Sequence, residues 1–207
     1  GAGGVRTGAR RVTAAQKGVA AMVSIKLQKN GYSAIMGNLE GNVSHQLIEP
    51  VYNFERLILN HLENGLQFKV NKPKIWSDTW LNWEVQQYLN SNFKEELSGG
   101  HSSRILLYQA ANGLQVKLPV QGLITHQGGQ LDTDTASLKT RVNVATGIIF
   151  NYVNTSEYGI VKSISSENYV CLFKDLSPVK NLNYKQGNGL FLNLNVTSIY
   201  NVGASLG

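Results

Sequence analysis

A two-residue period of apolar side chains, broken by asparagine–glycine pairs, constrains this chain more than any other feature. Val23-Ser24-Ile25-Lys26-Leu27 alternates apolar and polar and runs into Asn30-Gly31, after which Tyr32–Met36 forms a return strand. A two-residue hairpin that matches strand twist needs positive φ at both turn positions, so Asn-Gly between alternating runs predicts a type I′ hairpin. A second hairpin is predicted from Arg104–Gln109, the turn Asn112-Gly113, and Leu114, Val116, Leu118 and Val120 on one face. Further strands are expected over Arg141–Ala145, Gly147–Val153, Tyr158–Ile164, Asn168–Lys174 and Leu190–Val196. About nine short strands with turn signals between most of them predict a mainly β, antiparallel β-sandwich, jelly-roll-like in plan.

Two segments interrupt the alternation and read as helices in interstrand connections. Pro50 suits a first helical turn, Val51, Phe54, Ile58 and Leu62 follow at helical spacing, and Asn64-Gly65 supplies a stop. The second runs from about Asp78 to Phe93, capped by Ser77 or Asp78, with Trp76, Trp80, Leu81, Trp83, Val85 and Leu89 forming its apolar face. The three tryptophans have two readings, core packing against a sheet or stacking on sugars and bases; core is preferred.

Charge is placed unevenly. Arg6, Arg10, Arg11, Lys17, Lys26 and Lys29 all precede the first acid, Glu40, so the net charge of +6 belongs to the N-terminal fifth. Residues 1–21 read as a basic arm containing glycine and alanine, and 22–207 as a single β-sandwich domain. Such an arm suits a polyanion, because each Lys or Arg that neutralises a phosphate releases counterions. The arm lacks aromatics for base stacking, so contact through Arg6, Arg10, Arg11 and Lys17 is expected at phosphates and without base sequence preference. Asparagine matches glycine in abundance and recurs inside predicted strands at Asn143, Asn151, Asn193 and Asn195. Since asparagine is depleted from strands, these positions are expected to face solvent or a partner.

Chemistry is harder to find. His45, His61, His101 and His126 show no metal-ligand spacing, and the single cysteine, Cys171, sits in the apolar run Tyr169–Phe173 as a small hydrophobe. Asp132 and Asp134 alternate after Gly128-Gly129 and could share a calcium ion, although a solvated loop explains them more simply. No serine-hydrolase elbow, phosphate loop or thiolate zinc motif occurs, so no catalytic residue, metal or cofactor is assigned. No apolar run reaches the roughly 18 residues of a membrane-spanning helix.

No motif identifies a family. In plan alone the chain resembles the coat proteins of small icosahedral viruses, which join a basic, glycine-containing arm to a neutral jelly roll of similar size. The resemblance implies a structural protein that is not an enzyme. It would assemble with itself into a large homo-oligomeric shell, neutralise packaged nucleic acid through its arm, reside in the virion and have no membrane partner. The alternative is a carbohydrate-binding or adhesion β-sandwich, such as a phage-tail or surface component, using Trp76 or Trp80.

Overall fold

The computed structural model describes residues 23–40, 45–55, 62–87, 92–129, 137–154, 159–198 and 203–206. Ten strands follow one another as a single antiparallel meander, each paired to its sequence neighbours. They are β1 (Ser24–Lys29), β2 (Tyr32–Asn38), β3 (Asn64–Lys72), β4 (Ile75–Val85), β5 (Glu95–Gln109), β6 (Leu114–Gly128), β7 (Lys139–Val153), β8 (Val161–Asp175), β9 (Gln186–Ser198) and β10 (Gly203–Leu206). Among the described residues no strand pairs with the outer edge of β1 or β10.

Both asparagine–glycine hairpins form as expected. Asn30 and Gly31 take φ of 49° and 78°, the left-handed values the turn between β1 and β2 requires, and Gly113 takes 89° in the turn between β5 and β6. The mainly β, antiparallel character is therefore present, but the sandwich is not: one sheet, not two, carries every described strand. The segment from Asp78, expected as a helix, is strand β4 for its first half. Trp76 and Trp80 satisfy a helical stripe and also share one face of a strand, whereas Trp83 has the opposite parity and points the other way. Of the helix expected after Pro50, residues 51–55 are turn and bend, and 56–61 lie outside the described residues. The paired short strands expected over 141–153 and 158–174 are single long strands, β7 and β8.

The sheet curls around the β2–β3 connection. Leu47, Ile48, Val51 and Tyr52 of that connection cluster with Trp80 on β4, Leu123 on β6, Ala145 and Ile149 on β7, and Tyr169 on β8. Gln121 on β6 clamps the connection: its Oε1 accepts from Ile48 N at 2.9 Å, and its Nε2 donates to the Gln46 carbonyl at 2.9 Å. Tyr169 of β8 also interacts with Arg104 of β5 across the enclosed space. The face toward the connection is thus an interior, and alternation assigns every strand residue a side.

The polarity of the two sides is inverted relative to a water-soluble sheet. Inside, Gln67, Asp78, Asn82, Ser98, Ser102 and Gln121 are buried polar groups. Register places Asn143, Asn151, Asn193 and Asn195 on this same inner side, opposite Leu123, Gln115, Glu167 and Ser165. The expectation that these asparagines face solvent is corrected: they line an interior built from amides and hydroxyls, where Asn151 Oδ1 accepts from Ser165 Oγ at 2.7 Å. Outside, Ile25, Leu27, Met36, Leu66, Phe68, Ile148, Phe150, Leu172, Leu190 and Leu192 are exposed, Leu27 at 70% and Leu190 at 73%.

Candidate functional site

Two histidine clusters lie on opposite sides of the sheet. The inner one is centred on His45, which stacks flat on Trp80 with ring centroids 3.6 Å apart and planes 7° from parallel. Gly100, the cross-strand partner of Trp80, makes room for that ring: a Cβ there would stand 2.3 Å from Trp80 Cζ2. Both His45 nitrogens meet carboxylates, Nδ1 at 2.9 Å from Asp78 Oδ2 and Nε2 at 2.8 Å from Glu63 Oε2. Gln67 Nε2 donates to both Asp78 oxygens at 3.0 Å, and Gln67 Oε1 accepts from Glu40 N. Burial opposes charge on His45, but the bonds to Asp78 and Glu63 outweigh it and raise its pKa above the ordinary histidine value. An imidazolium held at both ends has no free nitrogen with which to take a proton. This cluster fixes the connection to the wall.

The outer cluster arises from His101-Ser102-Ser103 on β5. Residues two apart in a strand share a face, so His101 and Ser103 both point outward while Ser102 points in. His101 Nε2 lies 3.0 Å from Ser103 Oγ, and His101 Nδ1 lies 2.8 Å from Oγ1 of Thr79, its partner on β4. With the ring proton on Nδ1, His101 donates to Thr79 and accepts the Ser103 hydroxyl proton at Nε2. That is the arrangement of a nucleophile, a base and a group that orients the base. Ser103 is small and sits in the row between Ser77 and Val120, buried except for 4% of its surface. His101 borders Gly122 on β6, where a Cβ would meet nothing nearer than the Asn143 carbonyl at 3.8 Å, so the surface beside the ring is open.

A groove of about 500 Å³ approaches this cluster over the outer face of β1–β4. Its outward lining includes Ile25, Leu27, Met36, Leu66, Phe68 and Leu81, and Thr79 stands at its margin. Thr79 pairs with Phe68 on one side and His101 on the other, so apolar groove and polar cluster are continuous across one row. A second outward pair, His126 Nδ1 and Thr140 Oγ1 at 2.8 Å, contains no serine.

The residues singled out by sequence fall elsewhere. Arg6, Arg10, Arg11 and Lys17, like His61, Asp132 and Asp134, lie outside the described residues. Trp80 is core, Trp76 lies under Arg104, and Trp83 is outward, with its indole N–H donating to Glu95 at 2.7 Å. Cys171 is a half-buried member of the inner face, packed beside the core. The His-x-Ser spacing within an alternating strand was the available signal for the outer cluster, and motif searching passes over it because it has no glycine elbow.

No described helix is long and apolar enough to cross a membrane, but strands have their own way of doing so. An up-and-down antiparallel meander with apolar residues outside and polar residues inside is the architecture of membrane-spanning β-sheets. The chain belongs to the Lipid A 3'-O-deacylase-type family, whose model matches residues 5–205. No curated protein and no solved structure matches it.

This membership overturns the expectation of a coat protein. The chain belongs to an enzyme family, which also removes the shell-forming role, the virion location and the sugar-binding alternative. The features that suggested a shell subunit have another physical source. Few ionised groups and many strand amides suit a packed polar interior, not broad contacts between subunits.

Proposed function

We propose that this chain is a lipid ester hydrolase of the bacterial outer membrane that removes an acyl chain from a lipid A-type glycolipid. The observation that carries the reading is the outward Thr79–His101–Ser103 relay bordering an apolar groove. Ser103 Oγ attacks the ester carbonyl while His101 Nε2 takes its proton. Collapse of the tetrahedral intermediate expels the sugar oxygen, which leaves with the proton from His101. Water then attacks the acyl-serine, again losing a proton to His101, which returns it to the departing Ser103 oxygen as the fatty acid is released. Thr79 holds the tautomer that keeps Nε2 free to accept.

The strands are long enough for this setting. β5 to β8 each have 15 residues, against the roughly 9–11 that cross a bilayer core. An outward site faces hydrocarbon, and the groove over Leu66 and Phe68 then receives the scissile acyl chain. This proposal departs from the sequence-based expectation of no membrane partner.

The test is incubation of the full chain in detergent micelles with lipid A, read by mass spectrometry as the loss of one acyl chain. Unchanged lipid, or equal loss with Ser103→Ala, would overturn the reading. The groove makes a separate prediction. Leu66→Trp should lower kcat/KM on long-chain acyl esters about tenfold, the scale set by a few methylenes of pocket contact, and leave butyryl esters unaffected. A series of p-nitrophenyl esters measures both.

A further inference from the structure

Cations occur at both ends of the interior, but at the end with long connections Lys139 and Arg141 share a cavity with Glu84 and Glu96, whereas at the end where strands are joined by short turns a cavity holds cations alone. Lys74 of the β3–β4 turn, Arg104 on β5 and Lys117 on β6 face one cavity of about 330 Å³; Lys72 borders it too, but its ammonium lies over the outward Tyr32 ring, 4.7 Å from the centroid. The other lining residues include Gln46, Trp76, Gln109 and Gln115, and no carboxylate is among them. The nearest acids are engaged: Glu40 is paired with Lys26 and Lys69, and Glu167 accepts from Tyr169 OH at 3.3 Å.

Arg104 is held in place. Its guanidinium carbon lies 5.9 Å from the centre of the Trp76 ring, and one terminal nitrogen donates to Gln46 Oε1. Gln46 adopts φ of 53°, a left-handed conformation that costs a residue with a side chain. Its carbonyl is fixed by Gln121, so the strained residue is tied to both β5 and β6. Arg104 Nε, by contrast, is buried and has no hydrogen-bond partner among the described residues. Among the described residues Lys74 and Lys117 form no ion pair.

We infer that this cavity is an oxyanion site, built to take a phosphate group among Lys74, Arg104 and Lys117. A phosphate supplies acceptors on every side, which three convergent cations with one unused, buried N–H require. The site is inside the sheet, whereas the Ser103 cluster is outside, so it is separate from the hydrolytic site. The phosphate could come from the headgroup of a lipid or from a free ion, and the chemistry is the same.

The experiment is calorimetric titration of the full chain in zwitterionic detergent with inorganic phosphate, glycerol phosphate and dihexanoyl phosphatidic acid. Saturable binding is expected, and Lys74→Gln and Lys117→Gln should each weaken it about tenfold, as for the loss of one charge-assisted contact. Lys162→Gln serves as a distant control, and these variants leave Arg104 and the core intact. Tighter binding of the short-chain phosphatidic acid than of the other two assigns the site to a lipid headgroup. Equal binding of all three assigns it to the free anion. Lack of saturable binding by all three, or binding unchanged in both variants, overturns the inference.

Discussion

Ser103→Ala is expected to lower the rate of acyl release by about 10³-fold or more, leaving the unfolding midpoint unchanged. The estimate follows from the loss of a nucleophile and of the general-base catalysis that acts only through it. His101→Asn should cost a similar factor, and the double variant should be no slower than either single one, because residues that act as a unit are not additive. Thr79→Val should cost less, about tenfold, since a neutral hydroxyl orients the imidazole without a charge to stabilise its protonated form. Activity of the wild type should fall as pH drops and His101 takes up a proton. His126→Asn, on the same face, should leave the rate unchanged. If Ser103→Ala hydrolyses as fast as wild type, the nucleophile lies elsewhere.

The second large effect concerns folding. His45→Leu removes the cation between Asp78 and Glu63 and leaves two buried carboxylates facing an apolar side chain. Breaking a buried pair in this way costs about 3–5 kcal/mol, which urea unfolding in detergent micelles would register. The pH dependence has a definite sign. The folded pKa of His45 is raised above its unfolded value, so its contribution is complete below about pH 6.5 and is lost as pH rises through the folded pKa. The wild type should therefore lose stability as pH rises through that window, and His45→Leu should flatten this part of the profile. A profile identical in the two proteins would place the pH dependence in other groups.

What the sequence revealed and hid has particular causes. The hairpins at Asn30-Gly31 and Asn112-Gly113 were legible because turn geometry is local and few residues tolerate it. The length of β8 was not, because Ser165-Ser166-Glu167 reads as a break unless one side of the strand faces a polar interior. The tryptophans of β4 misled because Trp76 and Trp80 fit both a helical and a strand period. The larger error came from assuming that the apolar face of each strand points inward. Alternation is blind to sign: Leu190 and Leu192 give the same pattern whether they pack against a core or against hydrocarbon. The role of His45 was hidden for a different reason, since its carboxylate partners stand 18 and 33 residues away.

The outward position of the Thr79–His101–Ser103 relay bears on how such an enzyme meets its substrate. A site that opens onto the hydrocarbon side is approached laterally, within a sheet of lipid, and a molecule dissolved in the surrounding water does not encounter it. Turnover then follows the mole fraction of substrate in the lipid phase and not its molar concentration in the vessel. Adding inert detergent at fixed enzyme and substrate slows the reaction simply by thinning the neighbours. On the proposed reading, the composition of the surrounding leaflet thereby sets the pace of catalysis, without any ligand binding to the protein.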